Sequence, residues 1–270
     1  MADIDKAFTG SIPKLYDTLM VPMIFASYAA GMAERVAGFS PRAVLETAAG
    51  SGAVTRVLAP RLGTGARYVA TDLNQPMLDY AAGRQGAGSS VEWRQADAQH
   101  LPFDDDTFDV VCCQFGAMFF PDRIGAYAEA RRVLRSGGRF VFSVWDSVQE
   151  NDFAAVVADA VAAVFPQDPP LFIARTPHGY YDIARIRDDL RRAGYEDVQI
   201  ETREEVSRAA SALEAATAYC QGTPLRNEIE SRDPGRLQLA TEGAARALAD
   251  RYGTGAISGK IQAHVIIATK

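Results

Sequence analysis

The sequence is poor in the residues that carry metal, disulfide and nucleic-acid chemistry. Its 270 residues include three cysteines and three histidines, and 28 Lys and Arg stand against 34 Asp and Glu, a net charge of −6. Cys112, Cys113 and Cys220 show no C-x-x-C spacing, so we expect no metal site. A nucleic-acid surface needs clustered Lys and Arg, so the acidic balance predicts no nucleic-acid partner.

The chain also lacks an unbroken apolar run of the length that a membrane span requires. Residues 1–6 are acidic and have no apolar segment of a signal peptide, which predicts that no secretion signal is present. Few, unpaired cysteines are typical of a reducing compartment. These features together predict a cytoplasmic protein without a membrane span.

Strand-like and helix-like segments alternate through the middle of the chain, which is typical of a parallel sheet with helices on both faces. The predicted strands are 43–47, 67–71, 91–95, 108–113, 140–145, 198–206 and 262–269. Helices are predicted at 53–59, where Pro60 favours a stop, and at 122–134, 153–165 and 183–193, with two or three more between 212 and 252. Four prolines between 166 and 179 predict a loop. The expected fold is a doubly wound, Rossmann-like α/β sheet with helical lid elements.

The segments outside this alternation predict the domain organisation. We expect an N-terminal helical cap with an apolar helix around 21–37, a central α/β core with a lid insertion, a second helical insertion and a final core strand. The predicted bounds are 1–40 for the cap, 41–206 for the core, about 147–180 for its lid, 207–259 for the second insertion and 260–270 for the last strand.

The sharpest motif follows the first predicted strand, where Glu46-Thr47-Ala48-Ala49-Gly50-Ser51-Gly52 opens a helix. Glycine permits a tight turn and a close approach of ligand to backbone. The helix N-terminus behind such a turn offers N–H groups to a polar or anionic group. A glycine turn of this kind is by itself a weak signal, because it recurs in many folds.

Polar residues at the ends of three further strands strengthen the signal. Asp72 ends the second strand, Asp97 and Ala98 follow the third, and Gln114 follows the fourth. In a doubly wound sheet these strand ends share one edge, where a carboxylate accepts hydrogen bonds from a ribose diol or an exocyclic amine. The alternatives are structural: Asp72 as a helix N-cap and Asp97 as the cap of a turn.

Glu46 discriminates between two cofactor classes. A dinucleotide fingerprint ends in Gly or Ala, whereas this chain has Thr55 at that position. A carboxylate at the end of the first strand repels a pyrophosphate and attracts a cationic amino or sulfonium group. The residue therefore favours S-adenosylmethionine over NAD.

Five motifs in order resemble the class I S-adenosylmethionine-dependent methyltransferases, in particular the type 11 group. They are Leu45–Gly52, Ala70–Leu78, Asp97–Phe103, Phe108–Val111 and Arg132–Phe140. The resemblance implies a seven-stranded sheet whose last strand is antiparallel, and S-adenosylhomocysteine as the product. Where the family turn usually begins with glycine this chain has Ala48, which fits if the backbone there keeps φ negative.

The same resemblance implies roles for the site residues. The turn with Glu46, Ala48, Gly50 and Gly52 holds the methionine end of the cofactor, and Asp72 holds the ribose. Asp97 and Ala98 hold the adenine, and Leu73 and Met77 form apolar walls beside the ribose and adenine.

A second stretch, Cys113 to Asp122, is similar to that of ubiquinone and menaquinone C-methyltransferases, although Phe119 stands where those enzymes have asparagine. The chain also continues well beyond Gly194, past the point at which those enzymes finish. The resemblance implies a small-molecule acceptor, and the Ala, Val, Phe and Tyr content of the predicted lid favours a partly apolar one.

Three residues outside the core complete the candidate site. Tyr16 and Tyr28 are possible cofactor contacts from the N-terminal segment, and packing of an aromatic stripe is the alternative. His178, in the predicted lid, is the candidate general base, and a solvated loop histidine is the alternative. In-line methyl transfer needs alignment and exclusion of water more than a strong base. The leading hypothesis is a methyltransferase; the alternatives are a protein that binds the cofactor without catalysis and an NAD-linked oxidoreductase.

Overall fold

The computed structural model describes residues 12–86 and 90–270, which divide into two compact units. The first, here the core unit, comprises residues 27–144, 181–203 and 264–270. The second, the helical unit, comprises the described residues up to 26 together with 145–180 and 204–263.

One seven-stranded sheet organises the chain, in the order β3-β2-β1-β4-β5-β7-β6. The pairs β1–β2, β1–β4, β2–β3 and β4–β5 are parallel. The strand β1 is buried along its whole length, as expected of a strand covered on both faces. The predicted doubly wound α/β fold is confirmed. Its strands are Ala43–Glu46 (β1), Arg67–Asp72 (β2), Val91–Gln95 (β3), Phe108–Gln114 (β4), Leu134–Trp145 (β5), Asp197–Ala209 (β6) and Ile257–Thr269 (β7).

Backbone hydrogen bonds show that β7 runs antiparallel to β5. The Lys270 amide donates to the Gly138 carbonyl at 2.9 Å, near the start of β5. At the other end, the amide of Asp146, which directly follows β5, donates to the Gln262 carbonyl at 3.0 Å. Residue numbers fall along one strand as they rise along the other, which confirms the antiparallel last strand.

Helices join the strands, except that a loop joins β3 to β4. The helices whose residues lie wholly or mostly in the core unit are Ala26–Gly38 (α2), Ala53–Leu58 (α3), Gln75–Arg84 (α4), Arg123–Val133 (α5) and Ile183–Arg192 (α8). The helical unit contains Ile12–Leu15 (α1), Asp152–Val164 (α6), Phe172–Arg175 (α7), Ala212–Gln221 (α9), Leu225–Arg232 (α10) and Leu237–Tyr252 (α11), with a π-helical stretch over Tyr16–Phe25. No helix in the described part of the chain combines the length and hydrophobicity that crossing a membrane requires.

Several predicted boundaries were wrong. The last two strands are longer than predicted, since β6 runs over Asp197–Ala209 instead of 198–206 and β7 over Ile257–Thr269 instead of 262–269. The apolar helix around 21–37 begins earlier, because α1, the π-helical stretch and α2 follow one another without a break. The predicted 166–179 loop contains α7, whose first amide, at Phe172, donates to the Glu228 carboxylate at 2.7 Å. The strand β5 begins at Leu134 rather than Phe140, because the end of β7 pairs with Gly137 and Gly138.

Candidate functional site

The turn between β1 and α3 has an unusual backbone. Gly50 and Gly52 have φ values of 57° and 81°, in the left-handed region that glycine adopts without strain. The turn lies between neighbouring strands, since the Thr47 amide donates to Cys112 and the Ala49 amide donates to Thr71, both at 2.9 Å. The left-handed glycines are those that the sequence motif predicts.

Ala48 departs from the prediction. Its φ is 53°, so the expectation of a negative φ was wrong. A non-glycine residue in this region costs about 1–3 kcal/mol and persists only where its surroundings hold it. Gly116, after β4, leaves the space that the Ala48 methyl group occupies: a Cβ on Gly116 would stand 2.4 Å from the Cβ of Ala48.

Asp72 joins this turn to the end of β2. Its Oδ2 accepts a hydrogen bond from the Gly50 amide at 2.8 Å, and its Oδ1 accepts one from the Asn74 amide at 2.8 Å. The side chain is buried, and burial raises the pKa of its carboxyl above the usual value. Two of the predicted site residues are therefore in direct contact, and the carboxylate retains lone pairs for a further donor.

The two predicted apolar walls differ in exposure. Met77 is buried, and its terminal methyl lies 3.6 Å from where a Cβ on Gly50 would stand, so it packs beside the glycine turn. Leu73 is 45% exposed, and its carbonyl accepts a hydrogen bond from the Gln95 side chain at 2.8 Å. An exposed leucine beside Asp72 is apolar surface that a ligand could cover.

Asp97 and Ala98 lie on the loop after β3, and both are half-buried. The Asp97 carboxylate accepts a hydrogen bond from the Gln99 amide at 2.9 Å, which is the turn-capping arrangement named above as its structural alternative. The Gln99 side-chain oxygen in turn accepts a hydrogen bond from the Asp122 amide at 3.0 Å, at the start of α5. The loop is thereby attached to α5 at the predicted adenine end of the site.

Arg132, on α5, holds the rest of this loop. Its guanidinium donates to the carbonyls of Leu101 and Phe103 at 2.9 and 2.7 Å and pairs with Glu129 and Asp105. These carboxylates hold the pKa of the guanidinium well above its usual value.

We expect Arg132→Lys, which keeps the charge but loses the planar set of guanidinium donors, to lower the free energy of unfolding by about 1–2 kcal/mol in urea titrations. A urea unfolding curve with the midpoint and slope of the wild type would show that the guanidinium hydrogen bonds of Arg132 are dispensable.

The carboxyl of Glu46, at the start of the turn, has a strongly raised pKa. It is 2% exposed, and its Oε2 accepts hydrogen bonds from Thr55 Oγ1 at 2.6 Å and Tyr68 Oη at 2.5 Å. Burial raises the pKa of Glu46 to about 7, and the charge of Asp72 adds to the increase. Sequence reasoning missed Tyr68 and Thr55. The available signals were a phenol beside the apolar pair at the centre of β2 and a hydroxyl at the fingerprint position where Gly or Ala was expected.

Gln114 ends β4, in register with Ser143 of β5, and is half-buried. The next residue, Phe115, has a φ of 53° and packs edge-on against the ring of Tyr28 with centroids 5.3 Å apart. The hydroxyl of Tyr28 donates to the Arg203 carbonyl at 2.9 Å. Tyr28 is therefore engaged in the packing of the core unit, and its contact with a cofactor stays a prediction.

Tyr16 and His178 belong to the helical unit. Tyr16 stacks on Phe25 with ring centroids 5.0 Å apart. His178 is buried, not solvated, and its Nδ1 lies 2.7 Å from the Asp146 carbonyl. A carbonyl only accepts, so Nδ1 carries the proton of the neutral ring and Nε2 carries the lone pair. Burial lowers the pKa of His178 to about 4.

No group of three or more His, Cys, Asp or Glu side chains is arranged to bind a metal ion within residues 12–86 and 90–270. The polar groups gathered at the edge of the sheet are instead the amides of the glycine turn and two buried carboxylates, Glu46 and Asp72, with Asp97 half-buried beyond them. Such a set suits an organic ligand with hydroxyl and cationic amino groups.

Comparison with known families gives an independent result. Residues 45–142 match the family model described as a methyltransferase domain. This match begins one residue before Glu46 and ends within β5, so it includes every predicted core-unit site residue except Tyr28.

Related proteins match different lengths of this chain at different levels of sequence identity. An uncharacterized protein of Mycobacterium tuberculosis is 40% identical over 111 residues, which are 40% of this chain and 39% of that protein. The chain thus spans about two fifths of the length of the mycobacterial relatives it matches. A demethylmenaquinone methyltransferase of Lactobacillus johnsonii is 27% identical over 168 residues, 58% of this chain and 68% of that enzyme.

A solved structure shows the same fold. It is a phosphoethanolamine N-methyltransferase of Haemonchus contortus, in complex with phosphomonomethylethanolamine and S-adenosylhomocysteine. Its TM-score is 0.61 at 15% identity, covering 99% of this chain and 59% of that one. At this identity the likeness concerns the fold alone.

Proposed function

Because this chain belongs to the class I S-adenosylmethionine-dependent methyltransferases through its residues 45–142, we propose that it transfers the methyl group of that cofactor to a small-molecule acceptor. The observation that carries the proposal is the hydrogen bond from the Gly50 amide to Asp72, which joins the two motifs of the cofactor signature at one edge of the sheet.

The charges of the site fit S-adenosylmethionine. Glu46 and Asp72 are both buried, and burial is the main cause that raises the pKa of each carboxyl above its usual value. A cation beside a buried carboxylate stabilises its charged form. A ligand with an ammonium and a sulfonium group supplies that positive charge. A pyrophosphate would add to the repulsion, which disfavours the NAD-linked alternative.

S-adenosylmethionine supplies a methyl group bonded to a sulfonium sulfur. A nucleophile that bonds to the methyl carbon breaks the carbon–sulfur bond, and the neutral thioether S-adenosylhomocysteine is released. We assign the residues of the chain to binding and orientation. Glu46 accepts a hydrogen bond from the amino group, and Asp72 accepts from the ribose diol. Asp97 and the Ala98 backbone bind the adenine, and Leu73 and Met77 cover its apolar surface.

The acceptor is proposed to be partly apolar. Met118 is buried and Phe119 and Phe120 are half-buried just after β4, on the edge of the sheet that carries the cofactor motifs. Demethylmenaquinone methyltransferase, among the relatives, acts by its name on demethylmenaquinone, which is a quinone. His178 remains the proposed general base. Burial lowers its pKa to about 4, so the ring is neutral at pH 7, and its Nε2 lone pair is the atom that would accept a proton.

Calorimetric titration with S-adenosylmethionine, S-adenosylhomocysteine and NADH tests the cofactor. We expect both adenosyl ligands to bind, and Asp72→Asn to weaken them by about 10–100-fold, since a charge-assisted hydrogen bond contributes about 1.5–3 kcal/mol. Asp79→Asn is the matched control, because Asp79 is an exposed residue of α4 paired only with Gln75 among the described residues. Equal losses in the two variants, or binding of NADH alone, would contradict the proposal.

Turnover separates an enzyme from a protein that only binds the cofactor. Incubation with S-adenosylmethionine and a set of quinone, phenol and amine acceptors is expected to release S-adenosylhomocysteine with at least one of them. Tight cofactor binding without release across all three acceptor classes would favour the non-catalytic alternative.

A further inference from the structure

The hydrogen bonds to Glu46 are asymmetric. Both hydroxyl donors, Thr55 Oγ1 at 2.6 Å and Tyr68 Oη at 2.5 Å, contact the same oxygen, Oε2. Within the described residues no hydrogen bond reaches Oε1. The two donors come from different elements, Tyr68 from β2 and Thr55 from α3, so the carboxylate is held between the sheet and the helix that follows the glycine turn.

Few opposite charges balance Glu46 where it lies. Thr55 is fully buried and Tyr68 is 2% exposed. The other ionisable groups that act on Glu46 are Asp72 at the end of β2 and Arg56 on α3, while Cys112 and Cys113 of β4 have their own pKa values raised in part by its charge. Arg56 is already bonded to the Ser51 carbonyl at 2.5 Å. Two hydroxyls are thus the direct stabilising partners of this carboxylate.

We propose that Tyr68 and Thr55 are positioning residues for cofactor binding, which hold Glu46 Oε2 so that Oε1 receives the amino group of the methyl donor. This inference rests on the proposed function. Neither residue contacts the cofactor in this account; each acts through Glu46.

The physical argument has two parts. Two hydrogen bonds on one oxygen fix the rotation of the carboxylate, so a ligand does not have to order it on binding. The donors also favour the charged form: burial raises the pKa of Glu46 to about 7, and both hydroxyls act in the opposite direction. Removing either donor therefore leaves a carboxyl that is less ordered and more often protonated at neutral pH, and a protonated Glu46 does not attract an ammonium group.

Two ligands that differ by the amino-acid tail test this inference. S-adenosylhomocysteine carries the amino group, and 5′-methylthioadenosine has the same adenosine and sulfur without it. We expect Tyr68→Phe and Thr55→Val each to weaken S-adenosylhomocysteine about tenfold at pH 7 while leaving methylthioadenosine within about twofold. The pH at which S-adenosylhomocysteine affinity is half-maximal should move upward in both variants, and Thr55→Ser, which keeps the hydroxyl, should restore it.

Tyr195→Phe is the matched control. Tyr195 is a buried tyrosine of the core unit whose hydroxyl has no hydrogen-bond partner among the described residues, so its removal should change neither ligand. Equal losses for both ligands in Tyr68→Phe, or an unmoved pH midpoint, would show a packing role only and overturn the inference while the proposed function stands. Wild-type protein that binds neither ligand would overturn both.

Discussion

Glu46→Gln is expected to make the ligand-free protein more stable at pH 8 and less able to bind its cofactor. The pKa of Glu46 rises from 4.5 in the unfolded chain to about 7 in the folded one, mainly by burial. A difference of that size corresponds to about 3 kcal/mol of stability that depends on pH. Glutamine keeps the shape and an acceptor for Thr55 and Tyr68 but has no charge to bury.

The direction of the effect follows from the raised pKa. The folded state holds the Glu46 proton more tightly than the unfolded state, so this group favours folding below pH 4.5, and the contribution is lost as the pH rises to about 7. The variant has no such loss. Its free energy of unfolding relative to wild type should therefore increase by about 2–3 kcal/mol between pH 5 and pH 8, measured by urea titration at each pH.

Glu92→Gln provides the control for this titration. Glu92 lies on the surface of β3, where the ion pair with Arg67 holds the pKa of its carboxyl below the usual value. Its proton uptake lies below pH 5, so the stability of this variant relative to wild type should stay level from pH 5 to pH 8. A level curve for Glu46→Gln as well would mean that the carboxylate is solvated or balanced by a cation.

Glu46→Gln is expected to be the more stable protein at pH 8, and the wild type is expected to bind the ligand more tightly. Wild-type affinity for S-adenosylhomocysteine is expected to fall by up to about tenfold per pH unit below pH 7, because Glu46 must lose a proton to accept the amino group. Glu46→Gln should bind more weakly at pH 8 and show no such dependence. Greater stability together with weaker binding is the behaviour expected of a residue kept for function at a cost to the fold.

The elements that sequence predicted well are those whose signals are local. The strands β1 to β4 are bounded by turn residues, helices follow β1 and β2, and the predicted bounds of all four strands agree with the structure to within one residue. The glycine turn and Asp72 follow from the same local pattern. The hydrogen bond from the Gly50 amide to Asp72 forms because β1 and β2 are parallel neighbours, and the alternating strand and helix pattern already predicted that arrangement.

The features that sequence did not predict depend on distant residues. The helix α7 forms in a proline-rich segment because Glu228, on α10, accepts its first amides. Glu46 was predicted to face a ligand, and the bonds of Oε2 to Thr55 and Tyr68 became visible only once α3 and β2 were placed beside β1. The positive φ of Ala48 likewise depends on Gly116, which is distant in the sequence.

Gly116→Ala is expected to destabilise the core unit by about 3 kcal/mol. Its backbone φ of −99° is one that alanine adopts freely, so the effect is purely steric. The new Cβ would stand 2.4 Å from the Cβ of Ala48 and 2.8 Å from Cys113 Sγ, closer than such atoms approach in proteins. The backbone after β4 or the glycine turn must move to relieve the overlap, and overpacking of this kind costs about 1–3 kcal/mol or more.

The double variant Ala48→Gly, Gly116→Ala separates the two contacts. Removing the Ala48 methyl group relieves both the closer overlap and the left-handed strain of a non-glycine residue, so we expect it to recover more than half of the lost stability. The single variant Ala48→Gly measures the strain alone, and subtracting its effect should leave a coupling of about 1–2 kcal/mol. Gly83→Ala is the control: a Cβ there meets nothing within 4 Å and α4 gains helix propensity, so stability should rise slightly. Two results of urea titration would contradict this packing: a single variant Gly116→Ala as stable as the wild type, or a double variant no more stable than the single one. Either result would mean that Ala48 and Gly116 are not packed against each other, and that the space left by Gly116 does not explain why alanine is tolerated at the first position of the turn.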